Sequence, residues 1–215
     1  MHMTSDNLHS QAAARNAALT RLREEHRSLA RVIEALESVT AQIVETGIEP
    51  DFALLASMLY YVDAVPERFH HPKEDRYLFA ALRSRTAEAN DTLDRLERDH
   101  RRAPQLVSEL ERGLVRWQGG AMDGADTFVL ALSRFCEFSW NHMRSEETVV
   151  LPLAERCFTD EDWLAMAEAF GANSDPLFGA HRRTEFERLY HRIANLAPRR
   201  LKLSLLRGAH GNPDD

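Results

Sequence analysis

The chain has 215 residues, of which 44% are hydrophobic and 28% charged, and a formal net charge of -7 at pH 7. This is ordinary for a globular protein of one moderate domain, and the acidic balance argues against nucleic acid as a main partner. No apolar run is long enough to span a bilayer, so a membrane partner is not expected, and residues Met1 to Gln11 lack the apolar core of a secretion signal. The two cysteines, Cys136 and Cys157, form neither a disulfide framework nor a zinc or iron–sulfur motif. They read as buried thiols in a cytoplasmic protein.

From Gln11 to Thr46 the sequence is free of Gly and Pro and rich in helix formers. Leu19, Leu22, His26, Leu29, Ile33, Leu36 and Ile43 form a stripe at three- and four-residue spacing, interrupted only by the polar His26. Gly47 ends this helix and Pro50-Asp51 opens the next. The second helix is expected from about Asp51 to Leu82, with Phe52, Leu55, Leu59 and Val62 inward. Pro66 and Pro72 predict a kink or short break near Ala64 to Phe69. Within this helix, His70 and Glu74 stand one turn apart on one face, whereas His71 is offset by about 100° and is read as facing solvent or lying outside the ligand set.

The third helix, roughly Glu88 to Trp117, carries the stripe Leu93, Leu96, His100, Ala103, Val107, Leu110 and Leu114, again with one histidine. A bend is expected at Pro104. The fourth, about Ala125 to Leu151, contains His142 and Glu146 among Phe128, Phe135, Val149 and Leu153, and is expected to stop near Pro152. Thr159 to Asp162 reads as the cap of a short helix ending at Gly171, and Gly179 to Leu196 as a further amphipathic helix. That last helix is expected to be dispensable for any metal site, and the basic, Gly-containing tail from 198 to 215 to be mobile. No alternating strand pattern occurs. The class is all-α: an up-and-down four-helix bundle over 11–154, two additional C-terminal helices over 155–197, and the tail.

The halves of the bundle repeat. His26 precedes His70 by 44 residues and His100 precedes His142 by 42, and each second histidine has a glutamate four residues on. A lone His26 or His100 would be an ordinary core histidine. As the only polar breaks in two matching stripes, they converge with the two His-x-x-x-Glu pairs on one point in the core. Four imidazoles and two carboxylates buried together are costly unless something satisfies them, and two metal ions would. Glutamates that bridge two ions hold them roughly 3.5–4 Å apart. Imidazole with carboxylate favours iron and also suits manganese or zinc. His181 and Glu185 repeat the spacing without a partner segment and read as a chance pair. Glu25, Asp75, Asp99 and Glu147 read mainly as solvated charges, with a lesser role as acceptors for ligand imidazoles.

This order of His, His-x-x-x-Glu, His, His-x-x-x-Glu resembles the hemerythrin-like, or HHE cation-binding, family across about Arg15 to Ala154. The resemblance implies a non-haem centre of two iron ions bridged by oxide or hydroxide. By the family pattern His26, His70, His100 and His142 are terminal ligands, and Glu74 and Glu146 are bridges. Oxygen-carrying hemerythrins have an extra histidine one turn after the third-helix ligand; Pro104 stands there, which argues against stable oxygen carriage. The set is more similar to the di-iron domain of repair-of-iron-centres proteins. The expected function is binding or sensing of a small oxygen species such as O2 or NO, or handling of iron, with small anions such as azide as further ligands. Alternatives are a di-iron enzyme reducing nitric oxide or peroxide or repairing iron centres, and a structural zinc bundle. A homo-oligomer, or a separate redox or signalling partner, would accompany these functions.

Overall fold

The structure, a computed structural model, describes Ser5–Gly171 together with Arg188, Leu189, His191 and Ile193, with side chains described from residue 12. The described residues are helical with no strand. Helix α1 spans Ser5–Thr46 and stops at Gly47, whose φ of 65° is one that a side chain would strain. Asp51 caps α2 (52–85) by accepting the Leu54 amide at 3.0 Å. Helix α3 is Asn90–Gln118, α4 covers 124–157 and α5 is Asp160–Gly171. Short links join them, and α1 touches α2, α2 touches α3, α3 touches α4 and α4 returns to α1, as an up-and-down bundle requires. Gly124 allows the turn between α3 and α4 to close, because a Cβ there would lie 2.5 Å from the Trp117 Cα. Thr159 and Asp162 cap α5 reciprocally: the Thr159 amide donates to Asp162 at 2.8 Å and the Asp162 amide to the Thr159 hydroxyl at 3.4 Å.

The prolines disturb the helices without breaking them. No break interrupts α2. Residues Pro66–His70 form a wider π-turn, in which the His71 amide reaches back five residues to the Pro66 carbonyl, and a second π-segment covers Glu74–Phe79. Helix α4 likewise passes Pro152 and continues to Cys157 after a π-segment at Glu146–Val150, where the Leu151 amide bonds the Glu146 carbonyl. Pro72 and Pro152 each lie just past such a turn, with one residue between. A proline lacks an amide donor and collides with the carbonyl four residues back, so widening the preceding turn lets the helix continue. The extra residue also rotates the helix face: Val150 is fully buried, whereas Val149, expected inward, is 37% exposed. Helix α3 runs through Pro104 without a break.

The core has two apolar compartments. One contains Val32, Ile33, Leu36, Leu55, Leu59, Val62, Val107, Leu110, Phe128 and Phe135; the other contains Leu19, Leu22, Leu78, Phe79, Leu93, Leu96, Val150 and Leu151. Along every bundle helix the functional histidine falls between residues of the two. A polar layer therefore crosses the bundle between two apolar cores. Helix α5, beyond the expected bundle limit at 154, adds Trp163, Met166 and Phe170 to the second core. The expected helix at 179–196 lies outside the described residues except for four positions; among these Ile193 is buried in the first core. The 198–215 tail also lies outside the described residues, as do His181 and Glu185. Cys136 is buried, and Cys157 only half-buried.

Candidate metal centre

Each bundle helix brings its imidazole to the same depth: His26 from α1, His70 from α2, His100 from α3 and His142 from α4, all at most 6% exposed. Glu74 and Glu146 are fully buried, and each is the first residue of a π-segment. The internal repeat of the sequence thus recurs in backbone form. One turn of helix separates each glutamate from its histidine, at 3.2 Å for His70 Nε2–Glu74 Oε1 and 3.1 Å for His142 Nε2–Glu146 Oε1.

The carboxylates are divided between two groups of imidazoles. Glu74 Oε1 lies 3.7 Å from His26 Nε2, and Glu74 Oε2 lies 3.5 Å from His100 Nε2. Glu146 turns Oε2 to His26 Nε2 at 3.2 Å and Oε1 to His142. One group of potential ligands is His26, His70, Glu74 and Glu146; the other is His71, Glu74, His100 and His142. Within each group the ligand atoms all lie within 4.8 Å of one another.

A ring of outer carboxylates holds the imidazoles from behind. Glu25 of α1 pairs with His70 Nδ1 of α2 at 3.0 Å, and Asp75 of α2 with His100 Nδ1 of α3 at 2.8 Å. Asp99 of α3 stands 3.7 Å from His142 Nδ1 of α4, and Glu147 of α4 pairs with His26 Nδ1 of α1 at 3.0 Å. Each helix thus serves the next, and the ring closes around the bundle. With Nε2 turned inward, Nδ1 carries the proton and donates it, which fixes tautomer and ring orientation. These four acids were expected mainly as solvated charges; three are hydrogen-bonded to the imidazoles. The clue lay in their spacing, one acid directly before each of His26 and His100 and one directly after each of Glu74 and Glu146.

The electrostatics suit a cation. Burial lowers the histidine pKa values, but the carboxylates outweigh it. Glu146, Glu147 and Glu74 raise His26 well above its usual range, Asp75 and Glu74 bring His100 to about 9, and Glu146 and Asp99 bring His142 to about 10. Against burial, and for Glu146 also against the neighbouring Glu74, the imidazoles hold Glu74 well below the carboxylate range and Glu146 at about 2. Positive charge is thus called for at the points where ions would sit. Even so, both oxygens of Glu74, both of Glu146 and Nε2 of His26 are buried without a hydrogen-bond partner. Orphaned buried carboxylate oxygens are costly, and nitrogen and oxygen donors facing one point fit a divalent metal ion at each group.

His71 does not face solvent, one of the two places expected for it. It is 9% exposed, its ring stacks on His100 with centroids 4.0 Å apart, and its Nδ1 pairs with Glu67 at 3.2 Å. Burial lowers its pKa to about 4, so it is neutral and ready to donate an electron pair. An offset of 100° holds for a regular helix; the π-turn at Pro66–His70 changes that angle, so both His70 and His71 reach the layer. Pro104 is exposed, with Ala103 and Val107 taking the inward positions of α3. The fifth imidazole of the layer comes from α2. Helix α5 closes the other side: Phe170 sets its ring 6.3 Å from that of His70, and Lys73, near Glu25 at 3.4 Å, lies 5.2 Å over Phe170.

Among known proteins, the chain matches the family described as Hemerythrin HHE cation binding domain over residues 17–154. No curated protein matches it. The matched residues carry all six histidines and glutamates of the repeat as well as His71, and on that match the chain belongs to the hemerythrin HHE cation-binding domain family.

Proposed function

We propose that the protein is a non-haem di-iron protein that binds or senses a small oxygen or nitrogen species, such as O2 or NO, or handles iron. In this reading His26 and His70 hold one ion, His100 and His142 the other, and Glu74 and Glu146 bridge both. The division of the two carboxylates supports it best, since each presents one oxygen to either imidazole group. A bound iron pair supplies redox-active Lewis acids with positions open to a small ligand. The protein's own part is to hold that pair in a layer sealed by apolar cores on two sides. The ring of Glu25, Asp75, Asp99 and Glu147 keeps the imidazoles aligned and takes up charge changes at the centre through their Nδ1 protons.

Iron is the metal proposed because imidazole with carboxylate suits it, and four protein donors would leave a six-coordinate iron with positions for a small ligand. The test is metal analysis of anaerobically purified protein, with visible spectra before and after air. Close to two irons per chain, with a new charge-transfer band on oxidation and its shift on adding azide, is the expected result. Trace metal after reconstitution with ferrous iron would refute the reading.

A further inference from the structure

Asp63, Glu67 and His71 follow one another at four-residue spacing along α2, in the wall of a single cavity that is partly open to solvent. Asp99 of α3 and His142 of α4 line the same cavity, and the rest of its wall is largely apolar. The row runs inward: the Glu67 side chain is 34% exposed and that of His71 11%. We infer that this row of two carboxylates and an imidazole is the route by which a divalent cation, ferrous iron in the di-iron reading, enters the His100–His142 position. The inference deepens that reading and rests on it for the destination.

Charge at the mouth is the first support. Burial, and then the Glu67 charge, raise the Asp63 pKa, with Arg68 opposing them by less, so the potential there is negative. Asp99 adds a third carboxylate, balanced in part by Arg95 at 3.6 Å. A cleft with apolar walls and one sign of charge concentrates counter-ions. Among the described residues these acids form no cluster close enough to hold an ion, so they attract one without trapping it. The second support lies at the inner end. Glu67 pairs with Nδ1 of His71 at 3.2 Å, which leaves Nε2 as the lone-pair atom of a ring grouped with Glu74, His100 and His142. Both oxygens of Glu74 are buried there without a hydrogen-bond partner, so the row leads from solvent to donors whose burial calls for a cation. The opposite side offers no such approach. Phe170 packs against His70 and the Lys73 ammonium lies over Phe170, so a cation meets packed protein and like charge.

Cobalt(II) alone is the probe, since its visible bands report coordination without redox chemistry. Mixed rapidly with the metal-free full chain at low salt, it is expected to enter Asp63→Asn about threefold more slowly than native protein, and Asp63→Asn/Glu67→Gln about tenfold more slowly, with the final cobalt content unchanged. Glu45→Gln, which removes an exposed carboxylate near the end of α1, should match native protein. The differences should shrink in high salt, where charges are screened. A native chain that takes up only a trace of cobalt at equilibrium would sink the di-metal reading and the route with it. Full uptake with Asp63→Asn as fast as Glu45→Gln would overturn the route alone, as would a double variant that keeps the native rate.

Discussion

On the His26–His70 side of the layer, the imidazoles back onto packed protein. Glu25 and Glu147 bond both rings from behind, Phe170 of α5 presses its edge to His70, and Lys73 seals the seam. On the His100–His142 side, a third imidazole, His71, joins the group, Asp99 stands off from its histidine, and a cavity opens alongside. The two positions come from one repeated motif, yet one is capped and the other has three imidazoles in place of two and adjoins open space. Identical local sequence signals therefore do not make equivalent sites. What differs is what packs behind them.

The comparison breaks most completely where the halves share a group. Glu74→Ala removes an oxygen from both positions, and metal affinity is expected to fall by more than about 100-fold at each, beyond the 10–100-fold typical of outer partners. Metal analysis beside a circular-dichroism melt separates this from unfolding; loss at one position alone would show that Glu74 does not bridge.

Phe170→Ala attacks the capped side alone. Truncating a fully buried phenylalanine costs about 3–5 kcal/mol, and for a chain of this size that lowers Tm by roughly 6–20 °C. Chelator competition should then strip the His26–His70 position first. Equal loss from both positions would remove α5 as the source of the asymmetry.

His71→Ala is the matching change on the other side. A roughly 10–100-fold loss of affinity is expected, confined to the His100–His142 position and smaller than that of Glu74→Ala. If metal content and spectra are unchanged, His71 is packing and not a donor.

A titration sharpens the contrast between His71 and its neighbours. Against burial, Asp75 and Glu74 raise His100 to about 9, and Glu146 and Asp99 raise His142 to about 10, above an unfolded value of about 6.5. The metal-free fold therefore has their full stabilisation below pH about 6.5 and loses it as pH rises through about 9 to 10. Metal uptake expels the same protons, so affinity should climb over that range, and calorimetry in buffers of different ionisation enthalpy should detect the release. His71, lowered to about 4 by burial, adds no proton. A pH-independent affinity between 7 and 10 would contradict the arrangement.

The smallest effect expected separates the ring's tight and loose members. Asp75→Asn, which replaces the charged acceptor 2.8 Å from His100 with a neutral amide, should weaken metal binding by about tenfold, and Asp99→Asn, at 3.7 Å from His142, by less. The reverse order, read by chelator competition, would mean that Asp99 closes on His142 once metal is present.

Much of the fold and the core of the site could be read without coordinates. A single polar residue in an otherwise apolar helical stripe declares its own depth, as His26 and His100 do. A histidine and a glutamate four apart share a face whatever the fold, so His70 with Glu74 and His142 with Glu146 were legible from spacing, and the repeat aligned the halves. The capping residues Asp51 and Thr159 and the stop at Gly47 are local chemistry, and the chain places them where the helices begin and end.

What the chain could not declare alone depends on departures from ideal helix geometry and on contacts between distant segments. The 100° offset that sent His71 outward holds only in a regular α-helix, and the same assumption turned Val149 inward in place of Val150. Whether a proline breaks a helix or is absorbed by a wider turn depends on the packing that holds the flanks, which the residues around Pro72 and Pro152 do not state. Glu25, Asp75 and Glu147 look like surface acids until neighbouring helices bring imidazoles within 3.0 Å. Helix α5 is amphipathic by sequence, but only the fold determines that its Phe170 lies against His70 on one side of the layer while the cavity adjoins the other.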